Sequence, residues 1–314
     1  MGEQEQGGRR IFGPVASRRL GLSLGVDPIP YKTCSYNCIY CQLGPTTTLT
    51  TRREAYIPAR EVLADLERWL GQGGGADYIT LSGSGEPTLS SELGEIIAWL
   101  KLRTATPVAV LTNGSLLWRD DVLADLVYAD LIIPSLDAAR EEPFAAINRP
   151  AAEITLGQVV EGLARARREL PAEMWLEIML VSGVNDGPED LAALREAIAQ
   201  IAPHRVQLNT PVRPPAEKAA RPLSAEELAR AAAELGGDVE VIARRTGSPV
   251  PRRAQELAAR VLELVERRPC TPAELELGLG AHPNELAKVL QELVEQGRIS
   301  TTEQGGEVFF CARH

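Results

Sequence analysis

Short apolar runs alternate with stretches of helical periodicity between residues 76 and 212, and nothing else in the chain constrains its fold as strongly. "ADYITL", "PVAVLTN", "DLIIPSLDA", "MWLEIMLVSG" and "RVQLNTPV" each hold a run with the length and apolar content of a buried strand. Helical patterns fall between them, near 90–103, 119–128, 155–169 and 188–201. An earlier run in "GLSLGVD" adds a first strand around Ser23 to Asp27, and "PAREVLADLERWLGQGGG" follows as a helix with a glycine stop. Regular alternation of this kind implies parallel strands joined by right-handed crossovers. The expected fold is therefore α/β, a partial (β/α)6 TIM-like barrel. An open doubly wound sheet has the same periodicity, and the pattern alone does not separate the two.

Beyond the sixth strand come a helix, "SAEELARAAAELGG", a run "DVEVIARR", and a stretch "TGSPVPRR" with the Gly, Ser and Pro content of a linker. This divides the chain into a barrel with an N-terminal extension over 1–245, a linker over 246–252 and a second domain over 253–314. The second part reads as three helices and two short strands, with Thr271 and Asn284 where helix caps belong. That order resembles a winged helix-turn-helix. Its candidate reading helix, "PNELAKVLQELVEQG", carries one lysine against three glutamates, and from 250 to 314 eight Lys or Arg face ten Asp or Glu. Phosphate contacts dominate nucleic-acid affinity, so protein docking or dimerisation is favoured over groove binding as the role of this part. The net charge of −10 gives no general attraction to nucleic acid or anionic membranes. With neither a long apolar run nor a basic-then-apolar start, the expectation is a soluble cytoplasmic protein with no membrane partner.

Three of the five cysteines, Cys34, Cys38 and Cys41, lie in "KTCSYNCIYCQLG", directly after the first strand. An odd count in a reducing compartment argues for metal binding or catalysis rather than disulfides. Structural zinc takes four closed ligands, usually as two pairs, and no fourth ligand lies near these three. Three thiols on a cubane iron–sulfur cluster would instead leave one iron open. Cys270 and Cys311 are far from the group, and even with His282 and His314 in view they read as buried or incidental thiols.

This spacing, with Tyr40 before the last cysteine, resembles the signature of the radical S-adenosylmethionine (SAM) superfamily. The resemblance implies a [4Fe-4S] cluster on Cys34, Cys38 and Cys41, with SAM chelated at the open iron and reductively cleaved to methionine and a 5′-deoxyadenosyl radical that takes a hydrogen atom from the substrate. "SGSGEPTL" after the second strand matches the family's Gly-Glu motif, which implies that Gly83, Gly85 and Glu86 meet the methionine end of SAM while Tyr40 flanks the adenine. An ordinary glycine turn with a solvated glutamate is the alternative reading of that segment. Residues at the C-terminal ends of barrel strands line the site in such folds, which adds Asn113, Ser135, Asp137 and Asn185 as cofactor contacts and Gln207, Asn209 and Arg213 as substrate contacts. Each of the first four can equally cap the next helix as an Asx or Ser turn, and the last three can equally be surface polar residues. Arg18 and Arg19, before the first strand, are candidate anion contacts or a solvated pair.

The expected function is a radical SAM enzyme with one cluster, an unidentified substrate and an electron donor such as flavodoxin or ferredoxin. "GPVASRRLGLSLGVD" together with the cysteine stretch is similar to a branch near wyosine-synthesis and nitrogenase-cofactor proteins, which puts RNA forward as an alternative substrate. The extra cysteines that many such relatives carry are missing from this barrel. A non-catalytic iron–sulfur winged-helix regulator and an activator of a glycyl-radical partner are the other two readings.

Overall fold

The computed structural model describes residues 10–17, 19–212, 215–242, 252–304 and 307–313. Arg18, Arg213, His314 and residues 246–251 of the expected linker lie outside them. β1 (Ile11–Ser17) and β2 (Gly21–Val26) open the chain, and the cysteine loop follows with a two-residue parallel pair, β3 (Thr33–Cys34) and β4 (Thr48–Leu49). Then come α1 (Ala59–Gly71), β5 (Tyr78–Leu81), α2 (Leu93–Arg103), β6 (Val108–Thr112), α3 (Asp120–Leu126) and β7 (Leu131–Pro134). α4 (Glu141–Ile147), α5 (Leu156–Glu169), β8 (Glu173–Met179), α6 (Pro188–Ile201), β9 (Arg205–Asn209), α7 (Ala225–Leu235) and β10 (Val239–Val241) complete this part.

Eight of these strands form one sheet in the order β1-β2-β5-β6-β7-β8-β9-β10. All neighbours are parallel except β1, which runs antiparallel to β2. The six strands expected from the sequence stand side by side in chain order. A doubly wound sheet needs a point where that order reverses, and there is none here, so same-handed crossovers bring the helices to one face. This is a mixed α/β fold with a parallel sheet of partial-barrel order. β1, β10 and α4 are additions to the expected pattern. β1 contains Gly13 and Pro14 and shifts register between Phe12 and Val15, which suits the edge position that proline tolerates.

Side chains alternate along each strand. Leu24, Ile79, Val110, Ile132, Leu176 and Leu208 point to the helices and belong to one continuous apolar core. The opposite face carries a smaller cluster around Leu131, Ile133 and Trp175 together with the polar Ser23, Thr80, Glu177 and Asn209. Only that inner face offers polar chemistry, and the loops at the strand C-termini rise beside it.

α8 (Arg252–Arg267), α9 (Pro272–Leu279) and α10 (Pro283–Glu295) precede an antiparallel hairpin, β11 (Ile299–Gln304) with β12 (Glu307–Ala312). These elements enclose their own core of Val261, Leu275, Leu286, Val289 and Phe310. Cys270 is buried at its edge, where its backbone bridges Phe310. Thr271 caps α9 in a reciprocal box with Glu274. The cap of α10 is His282, whereas Asn284, expected there, sits inside the first turn. The C-terminal elements pack on the barrel: the rings of His282 and Phe12 stack with centroids 4.1 Å apart and planes 13° apart, and Lys218 pairs with Glu303. Phe12 is 4% exposed. Phe12→Ala should lower unfolding free energy by about 3–5 kcal/mol. Hydrogen exchange read residue by residue should show faster exchange in α10 than in the wild type, with β6 and β7 unchanged; uniform acceleration would contradict this packing.

Candidate active site

Two loops build the site, and backbone contacts hold them together. Lys32 N–H donates to Ser84 O at 2.7 Å, and Glu86 N–H donates to Thr33 O at 3.1 Å. Glycine is required at 85 because a Cβ there would stand 1.9 Å from that Thr33 carbonyl oxygen. Gly83 is as tightly placed, since a Cβ would stand 1.9 Å from Asp27 Oδ1. The far side of the cysteine loop is tied by a bridge from Tyr36 to Pro150 and by Thr46, whose hydroxyl donates to Tyr36 O at 2.7 Å.

Each sulfur in the loop has a side-chain nitrogen donor. Asn113 Nδ2 lies 3.6 Å from Cys34 Sγ, Asn148 Nδ2 lies 3.6 Å from Cys38 Sγ, and Lys32 Nζ lies 3.1 Å from Cys41 Sγ. Burial pushes the Cys34 thiol up to about 12, with the nearby Glu86 charge adding to the effect. Burial also raises the Cys38 thiol well above its ordinary value, and Asp137 and Cys34 push the same way. Cys34 and Cys38 thus share a surrounding that resists ionisation. No trio of His, Cys, Asp and Glu among the described residues converges as ligands of a single ion would. Thiolates on a cubane bind different irons and stand further apart, so an all-sulfur set from one loop, with N–H donors aimed at it, fits an iron–sulfur cluster.

Glu86 is buried and hydrogen-bonded within the protein. Its Oε1 accepts from Thr88 N–H, the Thr88 hydroxyl and the Thr112 hydroxyl, and its Oε2 accepts from Asn113 N–H at 2.7 Å. Burial raises its carboxyl while these four donors oppose the shift. Glu86 therefore ties β6 to the glycine loop. Asp137 has a similar place beneath Cys38: Oδ2 accepts from Tyr40 Oη and Asn148 Nδ2, both at 2.6 Å, and Oδ1 accepts from Met179 N–H at 2.9 Å. Burial pushes Asp137 up to about 6 against those hydrogen bonds. Asn185 is fully buried; its amide donates to the carbonyls of Asp137 and Met179 and accepts from Val181 N–H. It braces Asp137 from behind, with its amide engaged by the backbone.

A cavity of about 330 Å³ runs along the inner face beneath these loops. Of the residues expected from the sequence, Cys34, Cys38, Gly83, Gly85, Glu86, Asn113 and Ser135 line it, as does Arg19, whereas Tyr40, Asp137 and Asn185 stand outside its walls. Arg19 pairs with Glu177 at 2.8 Å. Asn209 donates to Glu177 at 3.0 Å and Gln207 to Glu240 at 3.2 Å, so both support the inner face from the far strands. Lys32, Asn148 and Glu177 were missed by sequence reasoning. The one available signal was the Asn-Arg-Pro sequence at 148–150, an Asx residue at a proline-fixed turn.

Gly85→Ala should separate the two loops. We expect a stability loss of about 1–3 kcal/mol and iron incorporation on anaerobic reconstitution reduced severalfold from wild type. Full incorporation would show that the close approach of Thr33 does not matter.

The family model described as the Radical SAM superfamily matches residues 29–195, just over half of the chain. The chain is 30% identical over 306 residues to a UPF0026 protein of Methanocaldococcus jannaschii, covering 95% of this chain and 94% of that protein. It is 37% identical over 294 residues to a Brachyspira hyodysenteriae protein named GTPase Obg, covering 93% of this chain but only 43% of that longer protein. Among solved structures, a radical SAM methyltransferase from Sphaerobacter thermophilus superposes with a TM-score of 0.56 at 20% identity, over 70% of this chain and 65% of that one, a likeness of fold. With the three cysteines at the end of the first parallel strand's loop and the family model spanning them, the chain belongs to the radical SAM superfamily.

Proposed function

We propose that the protein is a SAM-cleaving radical enzyme with a single [4Fe-4S] cluster held by Cys34, Cys38 and Cys41 and a substrate held in the inner-face cavity. The observation that carries this reading is that all three thiols sit in one half-buried loop, each with its own N–H donor. When bound, the cluster supplies the electron that cleaves SAM to the 5′-deoxyadenosyl radical. The chain's own residues orient and enclose. Gly83 and Gly85 let backbone approach closely, while Asn113 and Ser135 present polar groups to the cavity. The hydrogen bond between Tyr40 and Asp137 fixes the loop between Cys38 and Cys41. Leu20, Leu111 and Ile133 form the apolar part of the lining, and a bound substrate that displaces water from them would protect a reactive radical from side reactions. A one-electron donor of flavodoxin or ferredoxin type completes the system.

The C-terminal elements have the order of a winged helix, and near wyosine enzymes such a unit would suit RNA. α10, the helix that would enter a groove, is instead packed on the barrel, with Asn284 and Glu285 buried. That packing disfavours both the RNA substrate and a DNA-reading iron–sulfur regulator.

Anaerobic reconstitution with iron and sulfide, followed by dithionite and SAM, tests the proposal. The expected results are about four irons per chain, an electron paramagnetic resonance signal perturbed by SAM, and 5′-deoxyadenosine detected by mass spectrometry. Alanine at any one of the three cysteines should abolish deoxyadenosine formation. A cluster indifferent to SAM, or cleavage retained by Cys38→Ala, would overturn the reading.

A further inference from the structure

Two residues of α10, Asn284 and Lys288, line the inner-face cavity together with residues of the sheet. They are four apart and share one face of the helix. The helix is seated by buried contacts. His282 Nδ1 accepts Asn284 N–H at 3.2 Å, which leaves the ring proton on Nε2, 3.0 Å from Asp27 Oδ2. Gln42, next to Cys41, reaches Asn284 Oδ1 at 3.4 Å. The C-terminal elements therefore touch both loops of the site as well as the cavity.

The charged side chains on the cavity walls are Arg19, Glu86, Glu177 and Lys288. Both carboxylates are already engaged: Glu86 by four donors, and Glu177 by Asn209 on Oε1 and by Arg19 facing Oε2. Arg19 keeps donors. Arg19 Nη1 is buried and lies 2.8 Å from Glu177 Oε2 without the alignment of a hydrogen bond, and a guanidinium has five N–H groups. An ammonium carries three, so a neighbour bound to one leaves the others for a ligand.

We infer that α10 is a wall of the substrate site and that Arg19 and Lys288 recognise an anionic group, a carboxylate or a phosphate, on the substrate. This rests on the proposed function, which puts the substrate in that cavity. Lys288 is the specificity-determining residue, because it comes from outside the barrel and brings a charge that the sheet does not.

Malonate and inorganic pyrophosphate serve as probes, titrated calorimetrically into the full reconstituted chain with and without saturating SAM. At least one of them should bind at one site per chain with SAM present. Lys288→Met and Arg19→Met should each weaken that binding about tenfold or more, and Lys288→Arg should retain it, with thermal midpoints showing that all three variants are folded. Stronger binding of pyrophosphate identifies the group as phosphate, and stronger binding of malonate as carboxylate. The inference fails if neither anion binds, if binding survives both Met substitutions, or if SAM displaces the anion, which would assign the two cations to the cofactor. Deoxyadenosine formation is read on the same wild-type samples. Its absence with anion binding intact counts against the enzyme reading, and its presence without anion binding counts against this inference.

Discussion

Asp27, directly after β2, carries a carboxylate that is 4% exposed, and three parts of the molecule meet on it. Oδ2 accepts from Ser84 N–H at 2.9 Å, from the Ser84 hydroxyl at 2.7 Å and from His282 at 3.0 Å, while Ile29 N–H reaches Oδ1. A buried carboxylate is tolerable only when it is hydrogen-bonded throughout, so removing any partner leaves a costly vacancy. That makes the position of Ser84 depend on both a strand of the barrel and a ring from the C-terminal elements. Gly83 then follows from Asp27, and Gly85 follows from Thr33, because neither neighbour leaves room for a side chain. The glycines of this loop are accounted for by packing before any cofactor is considered.

The cysteine loop carries an electrostatic cost that the rest of the site opposes. Buried thiols hold their protons, so a metal cluster of the kind proposed would have to displace protons from Cys34 and Cys38, whose environment resists ionisation. Lys32, Asn113 and Asn148 lower that cost by presenting N–H groups to the sulfurs, and they come from three separate parts of the chain. Asp137 links two of the systems, because Asn148 donates to Asp137 and to Cys38 with one amide nitrogen. A change at Asp137 therefore reaches the sulfur by way of a shared donor.

Six strands, their helices and the three cysteines were legible because each announces itself within a window of about ten residues, through apolar runs, helical period or spacing. Gly85 was legible too, though for SAM contact and not for the Thr33 carbonyl it accommodates. β1 and β10 escaped notice because one is interrupted by Gly-Pro and the other has three residues. Asn185 looked like a ligand because polar residues after barrel strands often are, but its neighbours are backbone carbonyls, which no local pattern reveals. The role of His282 was beyond reach for the same reason at longer range: it meets a carboxylate 255 residues earlier in the chain.

Charge counting on the C-terminal elements set protein docking above nucleic acid. Few cations and several glutamates on the helix argued for docking on a protein, and the surface on which α10 docks belongs to the same chain. The single lysine of that helix lines the inner-face cavity. Isolated within an acidic segment it carries little meaning, yet placed beside an arginine and two occupied carboxylates it changes the charge balance of a cavity of about 330 Å³. Charges that line a cavity are less screened than charges on an exposed surface, so where the lysine sits counts for more than the net charge of its segment.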